Sequence, residues 1–326
     1  MLCLNCQAEM RRFGKNRNGS QRYRCDECAK TYTDESTRPA DNRRLSLDKT
    51  VLCLRMILEG NSIRSTERLT GVHRDTILAA IVEAGEQCQR FMIRATHNFP
   101  ATDVQADEIW GFVGCKEKTA IRKGYGEEVG DAWCFVAIER TSRLILTWHV
   151  GKRTAYDAVL FTDKLRHATA GRFQLSTDGF KPYRTAVPDS FGDTIDFAQL
   201  VKVYSDTPAE EGRYSPGQVV DTYSVVIAGD PDQDQICTSH AERSNLSIRM
   251  AIRRMTRLTN AHSKKWSNHE AAFALWFAYY NFCRVHTTLT DETRTEDQPR
   301  RKTTPAMAAG LTDHVWSVAE LLAAVA

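Results

Sequence analysis

The sequence contains no hydrophobic run long enough to cross a membrane. Its longest uninterrupted apolar or aromatic stretch is the ten-residue segment Ala271–Tyr280, whereas a transmembrane helix needs about 20 such residues. The first residues, MLCLNCQAEMRRFG, lack the apolar segment of a secretory signal peptide. With 42% hydrophobic and 26% charged residues, the 326-residue chain has the composition of a globular protein. We therefore expect a cytoplasmic protein with no membrane partner.

The chain also lacks a strong net charge, but the total of +3 hides an uneven distribution. Residues 1–32 contain seven Lys or Arg against three Asp or Glu, and residues 241–265 contain seven against one. Residues 183–234 contain only three basic residues against ten acidic ones. The two basic segments favour binding to a polyanion such as nucleic acid, although each is also compatible with an ordinary solvated surface.

The ten cysteines are not expected to form a disulfide framework, because the chain has no export signal. Four of them form two C-x2-C pairs separated by 18 residues: Cys3, Cys6, Cys25 and Cys28. This spacing is typical of a structural zinc site, in which four thiolates complete a tetrahedron and leave no position for water. We predict one Zn²⁺ in a ribbon over residues 1–33, with Tyr23 and Tyr32 packed over the ion. The alternative is four unrelated reduced cysteines.

A linker and three helices are predicted after the ribbon. Residues 34–44 are polar and contain a proline, which is typical of a linker. Apolar residues at helical spacing then predict helices over residues 47–59, 62–70 and 73–85. Ser46 and Ser62 are the predicted amino-terminal caps of the first two helices.

These helices have the layout of a helix-turn-helix, in which a short helix, a Gly-containing turn and a second helix follow one another. In that motif the first residues of the last helix enter the major groove of DNA. Arg74 and Thr76 are therefore candidate DNA-binding residues in a domain spanning residues 34–96. An ordinary three-helix packing unit is the alternative.

From about residue 97 the pattern predicts alternating strands and helices. Strands are predicted over residues 103–114, 132–139, 144–150, 173–177 and 194–204, and helices over 154–168 and 241–258. This order predicts an α/β layer with a mixed sheet through residues 97–290. A C-terminal tail covers residues 291–326.

Three carboxylates lie on separate elements of this layer. Asp107 is on the first predicted strand, Asp178 follows the fourth, and Glu242 begins the last helix. Converging carboxylates can hold two Mg²⁺ or Mn²⁺ ions, which activate an attacking oxygen and stabilise a leaving oxygen at a phosphodiester. Glu108 should leave the strand on the face opposite to Asp107, so only one of the two is expected to join the site. The alternative is that these are ordinary surface acids.

The last predicted helix combines the acid with a row of basic residues. Glu242, Asn245 and Arg249 fall within about 60° of arc on one helical face. An acid followed by arginines suits a metal site that lies on a nucleic-acid backbone.

These motifs together resemble the transposases of the insertion sequence 1 family. The similar segments are RYRCDEC around the second cysteine pair, DEIWGFVG (107–114), GDAWCFVAIER (130–140), WHVGKRTAYDA (148–158), STDGFKPY (176–183), ERSNLSIRMAIRRMTRLTNAHSKK (242–265), YNFCRVHTTL (280–289) and TPAMAAGL (304–311). The resemblance implies a ribonuclease-H-like catalytic core with an Asp-Asp-Glu triad, here Asp107, Asp178 and Glu242. It also implies that Asn245 and Arg249 line the site.

The chain departs from the family pattern between its second and third acids. Sixty-three residues separate Asp178 from Glu242, a longer gap than in compact members of the family. The acidic stretch 183–234 is the expected insertion. Ser239, His240 and Ala241 precede Glu242 where a more hydrophobic lead-in is expected.

The resemblance implies a DNA transposase. The zinc ribbon and helix-turn-helix would bind double-stranded DNA at the element ends, and the triad would hold two Mg²⁺ or Mn²⁺ ions. Water would cut at the ends, and the freed 3′-hydroxyl would attack target DNA. Arg249, Arg253 and Arg254 would contact phosphates, and the protein would form a homo-oligomer in the DNA complex. The alternative is a non-enzymatic, sequence-specific DNA-binding regulator derived from a transposase.

Overall fold

The computed structural model describes residues 2–3, 5–15, 21–33, 45–205, 219–256, 259–292 and 302–326. The predicted linker 34–44 lies outside the described residues. Parts of the predicted acidic insertion and of the C-terminal tail also lie outside them.

The amino-terminal ribbon is a three-stranded antiparallel sheet with the strand order β1-β2-β3. Its strands are β1 (Met10–Lys15), β2 (Gln21–Cys25) and β3 (Thr31–Thr33). A small cluster of Cys3, Met10 and Cys25 forms its core, and Tyr23 and Tyr32 pack against it. A core of this size is too small to stabilise a fold alone, so the ribbon needs another source of folding energy.

The helices after the ribbon are α1 (Leu47–Leu58), α2 (Ile63–Thr70) and α3 (Arg74–Ala95). The predicted serine caps are present, because Ser46 and Ser62 each accept a hydrogen bond from a backbone N–H three residues later. The third helix continues ten residues beyond its predicted end at Gly85. Gly85 lies inside the helix and does not end it.

Gly85 marks a close approach between two helices. A Cβ atom placed on it would lie 2.2 Å from the carbonyl oxygen of Ala271, which belongs to α8 (Trp266–Phe282). Only glycine lets the two backbones come this near. The residues of α3 after Gly85, including Cys88 and Met92, are buried in the same core.

The main sheet has six strands in the order β6-β5-β4-β7-β8-β9. They are β4 (Asp103–Val113), β5 (Gly130–Glu139), β6 (Ile145–Gly151), β7 (Phe173–Asp178), β8 (Ile195–Tyr204) and β9 (Val219–Ala228). The pairs β4–β7 and β7–β8 are parallel and the other pairs are antiparallel. This sheet confirms the predicted α/β class. The predicted insertion 183–234 supplies one helix and two strands of the layer.

Helices cover both faces of the main sheet. The helices that follow β4 in the chain are α4 (Glu117–Lys123), α5 (Ala155–Ala168), α6 (Tyr183–Phe191), α7 (Ser239–Ala251), α8, α9 (Thr287–Glu292), α10 (Pro305–Ala308) and α11 (Val318–Val325). Phe135 of β5 packs on α5 and α6, whereas Trp148 of β6 packs on α8. Helix α7 ends seven residues before its predicted end, because Ile252 is extended and a short 3₁₀ turn, Arg253–Met255, follows.

One hydrophobic core joins most of the described chain. It contains Leu54 of α1, Ile81 of α3, Phe135 of the sheet and Leu321 of α11. The core is therefore continuous across residues 96 and 290, where domain boundaries were predicted, and the ribbon cluster is separate from it. In the described part of the chain, no helix is long and apolar enough to cross a membrane.

Candidate active site

Three carboxylates meet where the end of β7 lies beside the middle of β4. Ala106 of β4 pairs with Thr177 of β7, which places Asp107 and Asp178 one step further along the two strands. One oxygen from each of Asp107, Glu108 and Asp178 lies within 4.8 Å of the others. Ligands commonly bind at the carboxyl ends of parallel strands, and an all-oxygen donor set suits Mg²⁺ or Mn²⁺.

Glu108 belongs to this group, so the expectation that only one of two adjacent acids joins the site is wrong. The two side chains do leave β4 on opposite faces. Asp107 Oδ2 accepts a hydrogen bond of 2.7 Å from Asn245 Nδ2 of α7, whereas Glu108 accepts from Arg153 at the other face. Alternation sets only the direction in which a side chain leaves the strand. Asp178, at the end of the neighbouring strand, lies within reach of both.

Arg153 supplies the positive charge beside these acids. Its Nη2 lies 2.9 Å from Glu108 Oε2 and 3.4 Å from Asp178 Oδ2. The guanidinium lies over the rings of Trp133 and Phe180, 4.9 and 4.4 Å from their centroids. Sequence reasoning did not predict this residue, although it lies in the segment WHVGKRTAYDA that carries the family resemblance.

The acids repel one another in a poorly solvated place. Burial, and then the charge of Asp178, raise the pKa of Asp107 from 3.8 to about 7. The same two causes raise the pKa of Glu108 from 4.5 to about 8, although Arg153 opposes the increase. One positive charge therefore does not balance the group, and a divalent cation would stabilise all three ionised carboxylates.

One further oxygen makes the donor set fit a hard cation. Asn245 Oδ1 is buried and has no hydrogen-bond partner among the described residues. Buried polar atoms in proteins are nearly always paired with protein, water or an ion. The residues present therefore fit a Mg²⁺ or Mn²⁺ ion held chiefly by Asp107 and Asp178.

Glu242 lies outside the group of three. Its Oε1 accepts a hydrogen bond of 2.7 Å from Thr238 Oγ1 and forms an ion pair with Lys202 of β8. The charge of Glu242 still contributes to the raised pKa of Asp107, so Glu242 lies close enough to interact electrostatically with the site. The structure thus brings two of the three predicted triad members together and places the third at the margin, on the same face of α7 as Asn245.

Two of the predicted DNA-binding arginines are used inside the protein. Arg249 donates from Nη1 to the carbonyl of Met255 and from Nη2 to the carbonyl of Trp110, each at 3.1 Å. Arg254 donates from Nη1 to Ser263 Oγ at 3.2 Å, and burial lowers its pKa to about 10. These contacts anchor the chain that follows α7 against β4.

The remaining predicted DNA-binding residues are more accessible. Arg253 is exposed, and Arg74 is exposed at the first position of α3. Thr76 is half-buried one turn into that helix. Arg74, Arg253 and Lys264 line one cavity of about 650 Å³ between the first three helices and the segment after α7. The start of α3 and the predicted basic segment 241–265 therefore face a common space.

The four ribbon cysteines converge as their spacing predicts. Cys3 Sγ lies 3.5 Å from Cys28 Sγ, and Cys6 Sγ lies 3.3 Å from Cys25 Sγ. All four sulfur atoms lie within 4.8 Å of one another, and none forms a disulfide. Four thiolates at this separation fit a tetrahedral Zn²⁺ with no open position.

Comparisons with known proteins give little beyond this geometry. No family model matches the sequence, and no curated protein is significantly similar to it. Among solved structures, the chain is similar to a piggyBac transposase, determined by cryo-EM as a synaptic complex with hairpin DNA. The two are 9% identical with a TM-score of 0.35, and the match covers 85% of this chain and 73% of that one.

Proposed function

We propose that the protein is a DNA transposase, which binds the ends of an insertion element and catalyses metal-dependent strand cleavage and 3′-hydroxyl strand transfer. The observation that carries this proposal is the meeting of Asp107, Glu108 and Asp178 within 4.8 Å, where the end of β7 lies beside the middle of β4. Oxygen ligands at such a site suit phosphodiester chemistry assisted by Mg²⁺ or Mn²⁺. The positions of the carboxylates, on β4, at the end of β7 and on α7, support a ribonuclease-H-like classification.

The chain's own residues have separate roles in this proposal. Asp107 and Asp178 hold the catalytic ions, which when bound polarise the phosphodiester and lower the pKa of water. Asn245 fixes the orientation of the Asp107 carboxylate through its 2.7 Å hydrogen bond. Arg153 holds Glu108 and Asp178 in place. Glu242 completes the triad when Lys202 releases it.

DNA recognition is assigned to the amino-terminal part of the chain. The zinc ribbon carries five arginines and lysines on its described strands, and cationic side chains of this kind neutralise phosphates. Arg74 and Thr76 lie at the start of α3, and in the proposed helix-turn-helix they would read bases. The partner is double-stranded DNA at both element ends and target, and we propose that the complex is a homo-oligomer.

A silent catalytic core is the second candidate, and one observation favours it. The ion pair between Glu242 and Lys202 and the pair between Asp178 and Arg153 neutralise two of the three triad acids within the protein. A regulator that only binds DNA would have no need to release these acids.

Cleavage of DNA distinguishes the two candidates. Duplexes covering the DNA on either side of the coding sequence are incubated with the protein in Mg²⁺, and binding is followed in parallel by gel shift. A transposase cuts at defined positions, and Asp178→Asn abolishes cutting while binding persists. Tight binding by the wild type without any cleavage would favour the regulator.

A further inference from the structure

Helix α7 has a second functional face, opposite to the one that contacts the acids. At 100° per residue, Glu242, Asn245 and Arg249 point to one side of the helix, and His240, Ser244 and Ser247 point to the other. The second side closes a cavity of about 250 Å³. Its other walls come from the end of β5, the turn before β6, and the chain around the start of α9.

The groups that line this cavity are those that bind oxyanions. Three arginines, two histidines and four serines or threonines line it: Arg143, Arg243, Arg284, His240, His286, Ser244, Ser247, Thr287 and Thr288. None of the described lining residues is acidic. Arg243 and Arg284 are exposed, and no ion pair of either is found within the described residues. Arginines and hydroxyls together are a typical phosphate-binding set.

Ser244 adds a buried polar residue to the wall of the cavity. This residue is only 4% exposed, and its hydroxyl has no hydrogen-bond partner in the described part of the chain. A buried hydroxyl without a partner loses free energy.

The electrostatics of the neighbouring imidazole agree with a positive cavity. Burial, followed by the charges of Arg143 and Arg140, lowers the pKa of His240 to about 4. His286 acts in the same direction. The cations around the cavity therefore outweigh any acid near this ring, which is the condition under which an anion is attracted.

We propose that the cavity between α7 and the Arg284–Thr288 segment binds a phosphate group. Its volume is smaller than the 300–1,000 Å³ typical of pockets for drug-sized molecules and suits a single oxyanion. Because a helix is about 10 Å across, a phosphate here lies on the far side of α7 from the acids. This phosphate, in an assignment that rests on the proposed function, belongs to the backbone of a DNA segment other than the one being cut.

The test measures DNA affinity across a salt series by fluorescence anisotropy, using the full chain and a labelled duplex. Removing one side chain that neutralises a phosphate should reduce the slope of log K against log salt by about 0.9. We expect this reduction for Arg284→Ala. Arg90→Ala is the matched control, because Arg90 is exposed on α3 and lies outside the cavity. Melting temperatures verify folding, and Arg243→Ala replaces Arg284→Ala if the latter does not fold.

A second arm titrates the same proteins with inorganic phosphate by calorimetry. An unchanged DNA slope together with at least tenfold weaker phosphate binding by Arg284→Ala would identify free phosphate as the source of the ligand. If Arg284→Ala equals the wild type in both arms, the proposal is overturned. Neither arm depends on cleavage, so a protein that binds phosphate here but never cuts DNA would refute only the catalytic proposal.

Discussion

At the scale of single residues, sequence reasoning predicted two of the three acids that meet but not the third, nor the charge that balances them. Asp107 and Asp178 are close because β4 and β7 are parallel neighbours, a pairing within the mixed sheet that the strand pattern predicted. The presence of Glu108 and Arg153 in the site depends on how far their long side chains extend. No local sequence pattern predicts this. The same holds for Lys202, whose ion pair keeps Glu242 at the margin of the site.

The raised pKa values of Asp107 and Glu108 predict a stability that falls with pH. Both folded-state pKa values, about 7 and about 8, exceed those of the free side chains. Between pH 4.5 and 8 these two acids therefore bind more protons in the folded protein than in the unfolded chain, and their contribution to stability is lost as the pH rises. Urea unfolding in EDTA from pH 5 to 9 measures this loss.

Mg²⁺ and a double variant are the controls for that prediction. A bound divalent cation favours the ionised acids, so added Mg²⁺ should flatten the pH dependence. Asp107→Asn combined with Glu108→Gln removes both titrating groups and should flatten it without Mg²⁺. Wild-type and double-variant stabilities that change in parallel from pH 5 to 8 in EDTA would contradict the assignment.

At the scale of elements, the ends of helices were harder to predict than their existence. The caps at Ser46 and Ser62 are local and were predicted from the residues themselves. The ends of α3 and α7 depend on tertiary contacts. Gly85 lies where α8 approaches α3, and α7 stops early because Ile252 and Met255 pack into the core as the chain turns.

Gly85→Ala should therefore destabilise the protein by about 1–3 kcal/mol, the usual range for overpacking. The new Cβ would lie 2.2 Å from the carbonyl oxygen of Ala271, so α3 and α8 must separate. Gly71→Ala is the control, because no atom lies within 4 Å of its Cβ position and only its positive φ of 69° costs free energy. Chemical denaturation of both variants gives the comparison. Equal or greater stability of Gly85→Ala would show that the helices do not touch there.

We predict that folding of the ribbon depends on zinc. Cys25→Ser should abolish zinc binding and unfold the ribbon, because its small cluster has no other support. The rest of the chain should stay folded, since the two hydrophobic clusters are separate. Zinc analysis and limited proteolysis measure both effects, with Cys115→Ser as a cysteine control outside the ribbon. The zinc site would be refuted if the wild-type protein contained no zinc and the ribbon of the variant resisted proteolysis equally well.

At the scale of the whole molecule, the first three helices and the α/β layer form one body around a shared core. Periodicity shows which residues of a helix are apolar but not which partner covers them, so the prediction could not reveal that α3 and α11 pack on α8. One consequence is that the start of α3 and the segment after α7 line the same cavity.

Arg74→Ala tests whether that start of α3 reads DNA bases. A base contact by arginine contributes about 1–3 kcal/mol of discrimination, so the variant should lose more affinity for the element ends than for random duplex. Competition binding measures the ratio, and Arg90→Ala should leave it unchanged. Equal losses on both DNAs would reassign Arg74 to the phosphate backbone.

The central claim is that Asp107 and Asp178 bind a divalent cation, and Mn²⁺ titration followed by electron paramagnetic resonance tests it most directly. The wild type should bind Mn²⁺, and Asp178→Asn should bind at least about tenfold more weakly, since a charged ligand is lost. The single variants Glu108→Gln and Glu242→Gln are measured side by side, and the one that binds Mn²⁺ more weakly identifies the third ligand. A wild type that binds no Mn²⁺, or an Asp178→Asn protein that binds it equally well, would contradict the account.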